Sequence, residues 1–153
     1  MSLDTQTELT RVETDALLGE HETGVLSLAR EDEPYAVPIS YGYDVKDQRF
    51  YLRLVSTPES EKRRFLRTSP NVTLVVYEEG DSVYRSVIAT GTLEEIQPEE
   101  LTVEDVEQYG EAKRPLFEVW GTSKPSLNVR LYQLTPDSVS GRRIEVERTT
   151  DPA

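Results

Sequence analysis

Cysteine is absent from this chain of 153 residues, and histidine occurs once, as His21. Without thiols the chain cannot form a disulfide, a thiolate nucleophile or a thiolate metal site. With one imidazole it cannot build a centre of several histidines, and most catalytic triads that use histidine are excluded as well. These absences exclude much of the chemistry that proteins perform with their own side chains.

Long apolar runs are missing too. No stretch approaches the roughly 20 apolar residues that cross a bilayer, and the first residues, MSLDTQTELTR, lack the basic and apolar regions of a secretion signal. We therefore expect a soluble, cytoplasmic protein with no membrane partner.

Positive charge is scarce. Asp and Glu total 29 against 17 Lys and Arg, which gives a formal net charge of -12, and the acids are spread along the whole chain. A strongly charged surface stays soluble where salt screens repulsion, so the composition predicts a halophilic protein from a high-salt cytoplasm. An ordinary acidic protein is the alternative. The acidic balance also argues against a nucleic-acid partner.

Short apolar stretches separated by turn residues predict one domain over residues 1–153, with frayed ends at about 1–8 and 148–153. Alternation and β-forming residues predict six strands and allow a seventh in SVSGRRIEVE. Pro38 cannot donate to a ladder, so its strand has an edge or bulge there, and Gly91 indicates a bend. The six strands are Gly24–Glu31, Tyr35–Tyr43, Arg49–Ser56, Asn71–Glu79, Ser82–Ile96 and Leu127–Pro136.

Three short helices are predicted between these strands. Thr10 and Glu13 have the spacing of a capping box, which predicts a helix over Thr10–Leu18 with Val12, Ala16 and Leu17 on a shared face. Pro58–Thr68 and Pro98–Arg114 also have helical patterns. The fold class is thus mainly β, an antiparallel barrel or sandwich with a few short peripheral helices.

The cations that are present gather in STPESEKRRFLRTS, directly after the third predicted strand. Thr57 is suited to cap the helix and Pro58 to open it, so its first turn presents free N–H groups and a positive dipole end. Ser60 and Lys62 add a hydroxyl and an ammonium, and Arg53 on the preceding strand adds a further cation. These are the parts of a phosphate site. The alternative is a surface helix that carries some cations among many acids.

Four stretches in order resemble the pyridoxamine 5'-phosphate oxidase-like family, whose members have an FMN-binding split-barrel fold. They span Gly24 to Ile96, about half of the chain. Each motif is weak alone, but their order and spacing are fairly specific. The stretches are GVLSLAREDEPYAVPISYGY, FYLRLVSTPESEK, SPNVTLVV and YRSVIATGTLEEI.

The resemblance implies an antiparallel split barrel of six or seven strands and a set of FMN-binding positions. Ser60 and Lys62 fall where the family holds the phosphate, and Arg53 lies on the strand bordering it. Ser86 takes the place of a polar residue that reaches the ring or the ribityl chain. The strand that runs along the ring and the ribityl chain contains Pro38, Ile39, Ser40 and Tyr41. Trp120 is a further candidate as an aromatic lid, although core or interface packing is the alternative.

The departures from the family narrow the expected activity. An arginine-containing substrate segment of true pyridoxamine phosphate oxidases has only a faint match in SGRRIEVE, so oxidation of vitamin B6 is disfavoured. Smaller members, including the nitroimidazole-reductase-like group, are closer. These often carry a histidine near the flavin or haem, whereas His21 precedes the first predicted strand and is expected to be a plain surface residue.

The resemblance therefore implies an FMN-dependent oxidoreductase that acts on a small-molecule redox substrate and builds its cofactor site in a homodimer. No nucleophile or acid–base constellation is apparent, which suits a protein whose cofactor performs the chemistry. Two alternatives stay open. One is a relative that binds deazaflavin F420 or haem on the same fold, and the other is a flavin-binding protein without turnover.

Overall fold

The computed structural model describes residues 5–56, 71–96 and 128–146. The predicted helices at Pro58–Thr68 and Pro98–Arg114 lie outside these ranges. In the described part no helix has the length and apolar character that crossing a bilayer requires. The elements are β1 (Thr5–Glu8), α1 (Arg11–Glu20), β2 (Thr23–Arg30), β3 (Glu33–Asp44), β4 (Arg49–Ser56), β5 (Asn71–Glu79), β6 (Val83–Ile96) and β7 (Asn128–Glu145).

All strand pairs are antiparallel, and the strands form one sheet in the order β1-β7-β4-β3-β2-β5-β6. A further pairing of β6 with β7 closes this sheet into a ring. The prediction of a mainly β, antiparallel split barrel with six or seven strands is confirmed.

Helix α1 begins at the predicted capping box. The Thr10 hydroxyl accepts from the Glu13 N–H at 3.2 Å, and the Thr10 N–H donates to Glu13 Oε1 at 3.0 Å. These bonds satisfy donors that the first turn leaves free. The predicted shared face is wrong: Val12 is 78% exposed, and the helix instead buries Thr14, Leu17 and Leu18 against the barrel.

The core lies inside the ring and follows the alternation of each strand. On β5, for example, Val72, Leu74 and Val76 are buried and the residues between them are more exposed. Alternation of this kind lets one face of a strand fill the interior while the other faces outward. The largest fully buried side chains are Tyr41, Phe50, Leu18, Leu26, Ile39, Leu52, Leu54, Leu74, Leu134, Val76 and Val87.

The carboxyl-terminal part differs from the sequence prediction, since Leu127–Pro136 and SVSGRRIEVE belong to one strand, β7. Pro136 does not end it because the register with β6 shifts between Thr90 and Gly91, which accommodates an extra residue on β7. A Cβ on Gly91 would lie 2.7 Å from Pro136 Cα, so only glycine permits this approach. The predicted bend at Gly91 is this bulge.

The amino-terminal end also differs. Residues 1–8 are expected to be frayed, but Thr5–Glu8 pair with β7 from Glu145 to Arg142. The Leu9 N–H continues this contact by donating to the Gly141 carbonyl at 2.9 Å. This end is ordered by backbone pairing, which the side chains of a short polar segment do not predict.

The ring is split beside Pro38. Strand β3 pairs with β4 only from Tyr41↔Leu52 to Asp44↔Arg49, whereas it pairs with β2 from Glu33↔Arg30 to Ser40↔Thr23. Within the described residues, Pro38 therefore lies where β3 has a strand on one side only. The expected edge at Pro38 is confirmed, and it borders the candidate site.

Candidate functional site

A groove of about 470 Å³ opens on β2, β3 and β5, next to the end of α1. Its volume lies within the roughly 300–1,000 Å³ that is usual for ligand pockets. The residues that line it are His21, Thr23, Gly24, Val25, Pro38, Ile39 and Tyr77. It thus has a mainly apolar wall with polar groups at the end where α1 meets β2.

Strand register explains why these residues meet. Thr23, Gly24 and Val25 of β2 lie opposite Ser40, Ile39 and Pro38 of β3. On its other side β2 pairs with β5, where Val25 is opposite Val75. A Cβ on Gly24 would lie 2.8 Å from the Val75 carbonyl oxygen, so a larger residue at that position would push β2 and β5 apart.

Tyr77 forms the outer wall of the groove. Its side chain is 62% exposed, which is unusual for so large an apolar group on a sheet. An aromatic ring left open beside a groove offers a stacking surface to a flat ligand. Val25 and Pro38, which are opposite each other on β2 and β3, extend that surface along two strands.

The structure brings two of the predicted cofactor residues, Pro38 and Ile39, into this groove. Ser40 follows them, fully buried and opposite the groove residue Thr23. Tyr41 points elsewhere: it is buried and its hydroxyl donates to the Leu18 carbonyl of α1 at 2.8 Å. Burial raises the pKa of this hydroxyl, which keeps it a protonated donor. The Tyr41 side chain thus anchors the helix to β3.

The other predicted residues lie apart from the groove or outside the described ranges. Ser86 is half-buried on β6 opposite Tyr77, so it adjoins the groove wall from the neighbouring strand. Arg53 lies on β4 opposite Leu131 of β7 and does not line the groove. Ser60, Lys62 and Trp120 lie outside the described residues, so the structure does not place the predicted phosphate turn or the aromatic lid.

A chain of polar contacts reaches the groove from the barrel end. His21 follows α1 as its C-cap, and its Nε2 lies 2.7 Å from Glu78 Oε2. The other carboxylate oxygen of Glu78 accepts from Arg85 Nη1 at 2.6 Å. Glu78 and Arg85 are directly opposite on β5 and β6. The expectation of a plain surface histidine is wrong, because His21 is half-buried and held in place.

The electrostatics of this cluster follow from those contacts. The hydrogen bond with His21, and then the one with Arg85, lower the pKa of Glu78 below its usual value, so the carboxylate stays charged. Glu20, His21 and Glu78 offer three ligand atoms within 4.8 Å of one another, a spacing that could hold a metal ion. A cation there would have to displace Arg85 or His21 from Glu78, because both of its oxygens are already engaged.

A second cavity of about 470 Å³ is lined by residues around Pro136 and the start of α1. Its walls are mostly polar or charged, including Glu8, Arg11 and Asp47, and none of the predicted cofactor residues lines it. The groove beside Pro38 is therefore the better candidate for a flat, partly apolar ligand.

Sequence reasoning missed seven residues of the site and its support: Thr23, Gly24, Val25, His21, Tyr77, Glu78 and Arg85. Two signals were present. The predicted hairpin of β5 and β6 sets Glu78 against Arg85, two opposite charges suited to a cross-strand pair. The same register places Tyr77 beside Ser86. For His21 there was no local signal, since its partner Glu78 is 57 residues away.

Comparison with known proteins agrees with this description. The family model described as Pyridoxamine 5'-phosphate oxidase matches residues 10–143. No match is found among curated proteins. A FAD-binding protein from Mesorhizobium loti superposes with a TM-score of 0.70 at 23% identity, covering 95% of this chain and 99% of its own.

Two similar structures come from Mycobacterium smegmatis. A FAD binding protein has a TM-score of 0.65 at 16% identity and covers 92% of this chain and 100% of its own. A heme binding protein has a TM-score of 0.60 at 13% identity, and the match covers 87% of this chain and 54% of that one. At these identities the likeness establishes the fold alone.

Proposed function

Because the chain belongs to the pyridoxamine 5'-phosphate oxidase family, we propose that it is an FMN-binding oxidoreductase whose flavin ring occupies the groove beside Pro38. The observation that carries the proposal is the position of Pro38 and Ile39. These residues line the groove, and the family resemblance assigns them to the flavin independently of any cavity.

The groove suits a flavin ring in size and in chemistry. An isoalloxazine is flat, apolar on both faces and polar along its edges. The groove offers an aromatic and aliphatic wall in Tyr77, Val25 and Pro38, with polar groups at His21 and Thr23. Ligand sites of this kind combine a mainly apolar lining with a few polar groups that set orientation.

The choice of FMN depends on the phosphate turn. Ser60 and Lys62 lie outside the described residues, so their role rests on the family resemblance and on the phosphate chemistry of a helix N-terminus. The two flavin-binding neighbours bind FAD by their descriptions. FAD is therefore the flavin that the experiment must distinguish from FMN.

When bound, the flavin would supply the electron-transfer chemistry, and the chain's own residues would bind and orient it. Val25 and Pro38 would exclude water from one face of the ring. Tyr77 would provide an aromatic surface beside it. In the described part of the chain no side chain of the groove is a strong nucleophile.

A homodimer is part of the proposal, and the outer face of the sheet supports it. Val75 and Ile88 are opposite on β5 and β6, next to Val25 on β2, and they share the face of Tyr77. Ile88 is 41% exposed. A second copy packed on this face would bury these side chains and close the groove from outside, as isologous interfaces do.

Haem is the second candidate, because one structural neighbour is described as a heme binding protein. The chain has no cysteine and only one histidine, so His21 would be the sole imidazole available as an axial ligand. Its Nε2 already faces Glu78 at 2.7 Å. This arrangement favours a flavin over haem. The deazaflavin F420 shares the flat ring and is separated only by experiment.

Release of the cofactor tests the proposal directly. The purified protein is denatured, and the supernatant is separated by chromatography with FMN, FAD, F420 and haem as standards. We expect FMN in about one equivalent per chain. Release of FAD, F420 or haem instead of FMN would change the proposed cofactor. Failure of the unloaded protein to bind any of them would contradict the proposed function.

Lys62→Ala tests the phosphate turn. If Lys62 holds the phosphate, the variant should lose about ten- to a hundredfold in affinity for FMN, as for a charge-assisted hydrogen bond. Affinity for riboflavin, which lacks the phosphate, should be unchanged. Ser60→Ala should act in the same direction with a smaller loss, and Arg64→Ala is the control for surface charge.

The titrations are made in high salt, which screens long-range charge and leaves close contacts in place. Equal losses of FMN and riboflavin for Lys62→Ala would mean that Lys62 supports the fold. The absence of any loss would make the basic stretch a solvated surface helix.

A further inference from the structure

His21 has more order than a groove residue needs for packing alone. It caps α1, its backbone N–H donates to the Leu17 carbonyl at 3.3 Å, and its ring contacts Glu78. It is also one of the residues that line the groove. The single histidine of the chain is therefore held by its backbone and by Nε2 of its ring, at the polar end of the groove.

The partner of Nε2 determines which nitrogen carries the proton. An ionised carboxylate only accepts hydrogen bonds, so Nε2 must be protonated to bind Glu78. Arg85 holds the other oxygen of that carboxylate, and the pKa of Glu78 is lowered by both contacts, which keeps it ionised. In neutral His21 the proton is thus on Nε2, and Nδ1 is an unprotonated acceptor.

No described residue bonds to Nδ1 of His21. A half-buried acceptor beside a groove is suited to a ligand that brings a donor. The neighbouring charges on the chain are Glu20 and Glu22, which are both acidic and exposed. They offer no competing donor to the ring, whereas Arg85 is committed to Glu78.

We propose that His21, oriented by Glu78 and Arg85, recognises the polar edge of a flat heteroaromatic ligand by accepting a hydrogen bond from its imide N–H at Nδ1. This inference rests on the proposed function, because the flavin ring is the ligand of this class assigned to the groove. Glu78 and Arg85 act as positioning residues, since they touch the imidazole and not the ligand.

The flavin ring carries one imide N–H between two carbonyl groups, so it has the donor that Nδ1 requires. The apolar wall would hold the faces of the ring, while His21 would select its edge. The ribityl chain and the phosphate have no part in this contact. The His21 contact should therefore affect FMN and riboflavin equally, in contrast to Lys62.

The decisive variant is His21→Gln. A glutamine amide can still donate to Glu78 in place of Nε2, but it has no group in the position of Nδ1. We expect about a two- to tenfold loss of affinity for both riboflavin and FMN, the range of one neutral hydrogen bond. The melting temperature of the ligand-free variant should match that of the wild type. Glu79→Gln, an exposed neighbour of Glu78, is the matched control.

A modified ligand isolates the contact. Riboflavin methylated at the imide nitrogen lacks the donor, so wild type should bind it less tightly than riboflavin. In His21→Gln the ratio between the two affinities should shrink, because the acceptor is gone. An unchanged ratio would overturn the assignment of the imide edge to His21, even if both affinities fall.

Nitrogen NMR observes the contact without any measurement of activity. Because the chain has one histidine, protein labelled with ¹⁵N-histidine gives one pair of ring signals. At alkaline pH we expect a protonated Nε2 and a free Nδ1, and riboflavin should shift the Nδ1 signal while the methylated analogue does not. Glu78→Gln should reduce that shift, because the amide has one acceptor oxygen for His21 and Arg85 where the carboxylate has two.

The two levels of the proposal fail in different ways. If the unloaded wild type binds neither riboflavin nor FMN, the proposed function is wrong. If wild type binds both and His21→Gln binds them equally well, the flavin function stands and the role of His21 is wrong. An Nδ1 signal that riboflavin leaves unchanged would count against His21 in the same way.

Discussion

The ring has two seams of opposite character. Between β6 and β7 the pairing runs from Val83↔Glu145 to Ile96↔Leu131, with one register shift between Thr90 and Gly91. Between β3 and β4 pairing stops at Tyr41↔Leu52, and Pro38 and Ile39 beyond it line the groove. At the first seam, Gly91 allows the backbones of β6 and β7 to approach closely at Pro136. The second leaves an open edge beside the candidate groove, so under the proposed function stability and binding depend on different sides of one barrel.

At the seam between β6 and β7, the largest loss of stability is expected from substitution of Gly91. A Cβ there would overlap the backbone of Thr135 and Pro136, so Gly91→Ala should destabilise the protein by about 3 kcal/mol. Urea unfolding measures this loss. Gly19→Ala is the control, because a Cβ on Gly19 meets nothing within 4 Å and alanine favours a helix. A small effect at Gly91 would show that the seam tolerates a shift.

On the open side, substitutions should instead weaken the proposed dimer. The double variant Tyr77→Ser, Ile88→Ser replaces two exposed apolar side chains of the proposed dimer face. We expect the dimer to weaken by at least tenfold, or by about thirtyfold (about 2 kcal/mol) if one side chain is a hot spot. Light scattering over a range of concentrations, in low and in high salt, measures it. A wild-type protein that is monomeric in both salts would contradict the dimer itself.

Removing the Tyr41 hydroxyl distinguishes a role in anchoring α1 from a role in binding the flavin. Tyr41→Phe leaves the Leu18 carbonyl without its donor near the end of α1, which should cost about 1–1.5 kcal/mol of stability. Riboflavin affinity should not change, because the hydroxyl points to α1. Tyr43→Phe, whose half-buried hydroxyl donates to Asp15 at 2.6 Å, should cost less. A large loss of riboflavin affinity would return Tyr41 to the cofactor site.

The smallest effect is expected at Glu78 and depends on pH. Its folded-state pKa is lowered, so its ion pairs stabilise the protein above the ordinary carboxyl pKa and this contribution disappears as pH falls through the lowered value. Wild type should be about 1 kcal/mol more stable than Glu78→Gln near neutral pH, and the difference should vanish in acid. Thermal unfolding of both proteins from neutral to acidic pH tests this. A difference that persists in acid would indicate a packing effect.

Much of the fold was predictable because its determinants are local. Alternation on β2 and β5, the Thr10 capping box and the turns between strands are each written in adjacent residues. Strand β1 was not, because TQTE carries no apolar pattern and forms only by pairing with Glu145–Arg142. Pro136 concealed the continuity of β7, since the compensating residue, Gly91, lies on another strand.

The candidate site divides in the same way. Pro38 and Ile39 were predicted from a motif within one strand, and the groove includes both. Tyr41 follows them in the motif, but its side chain lies in the core, where its hydroxyl donates to the Leu18 carbonyl of α1. His21 lines the groove only because the folded barrel brings it to Glu78, a partner 57 residues away. The composition shows that His21 is the only histidine, but only the folded structure shows that it lines the groove and contacts Glu78.

Strand β7 also determines when this barrel can form. It pairs with β1, β4 and β6, so three strands have an open edge until the chain has been synthesised through Glu145. On the ribosome, the preceding strands would therefore wait with unpaired edges, which are prone to association with other chains. Folding dominated by such distant pairings is slow. Closure of the barrel therefore has to wait for synthesis of β7, and loss of β7 by truncation would leave an aggregation-prone sheet.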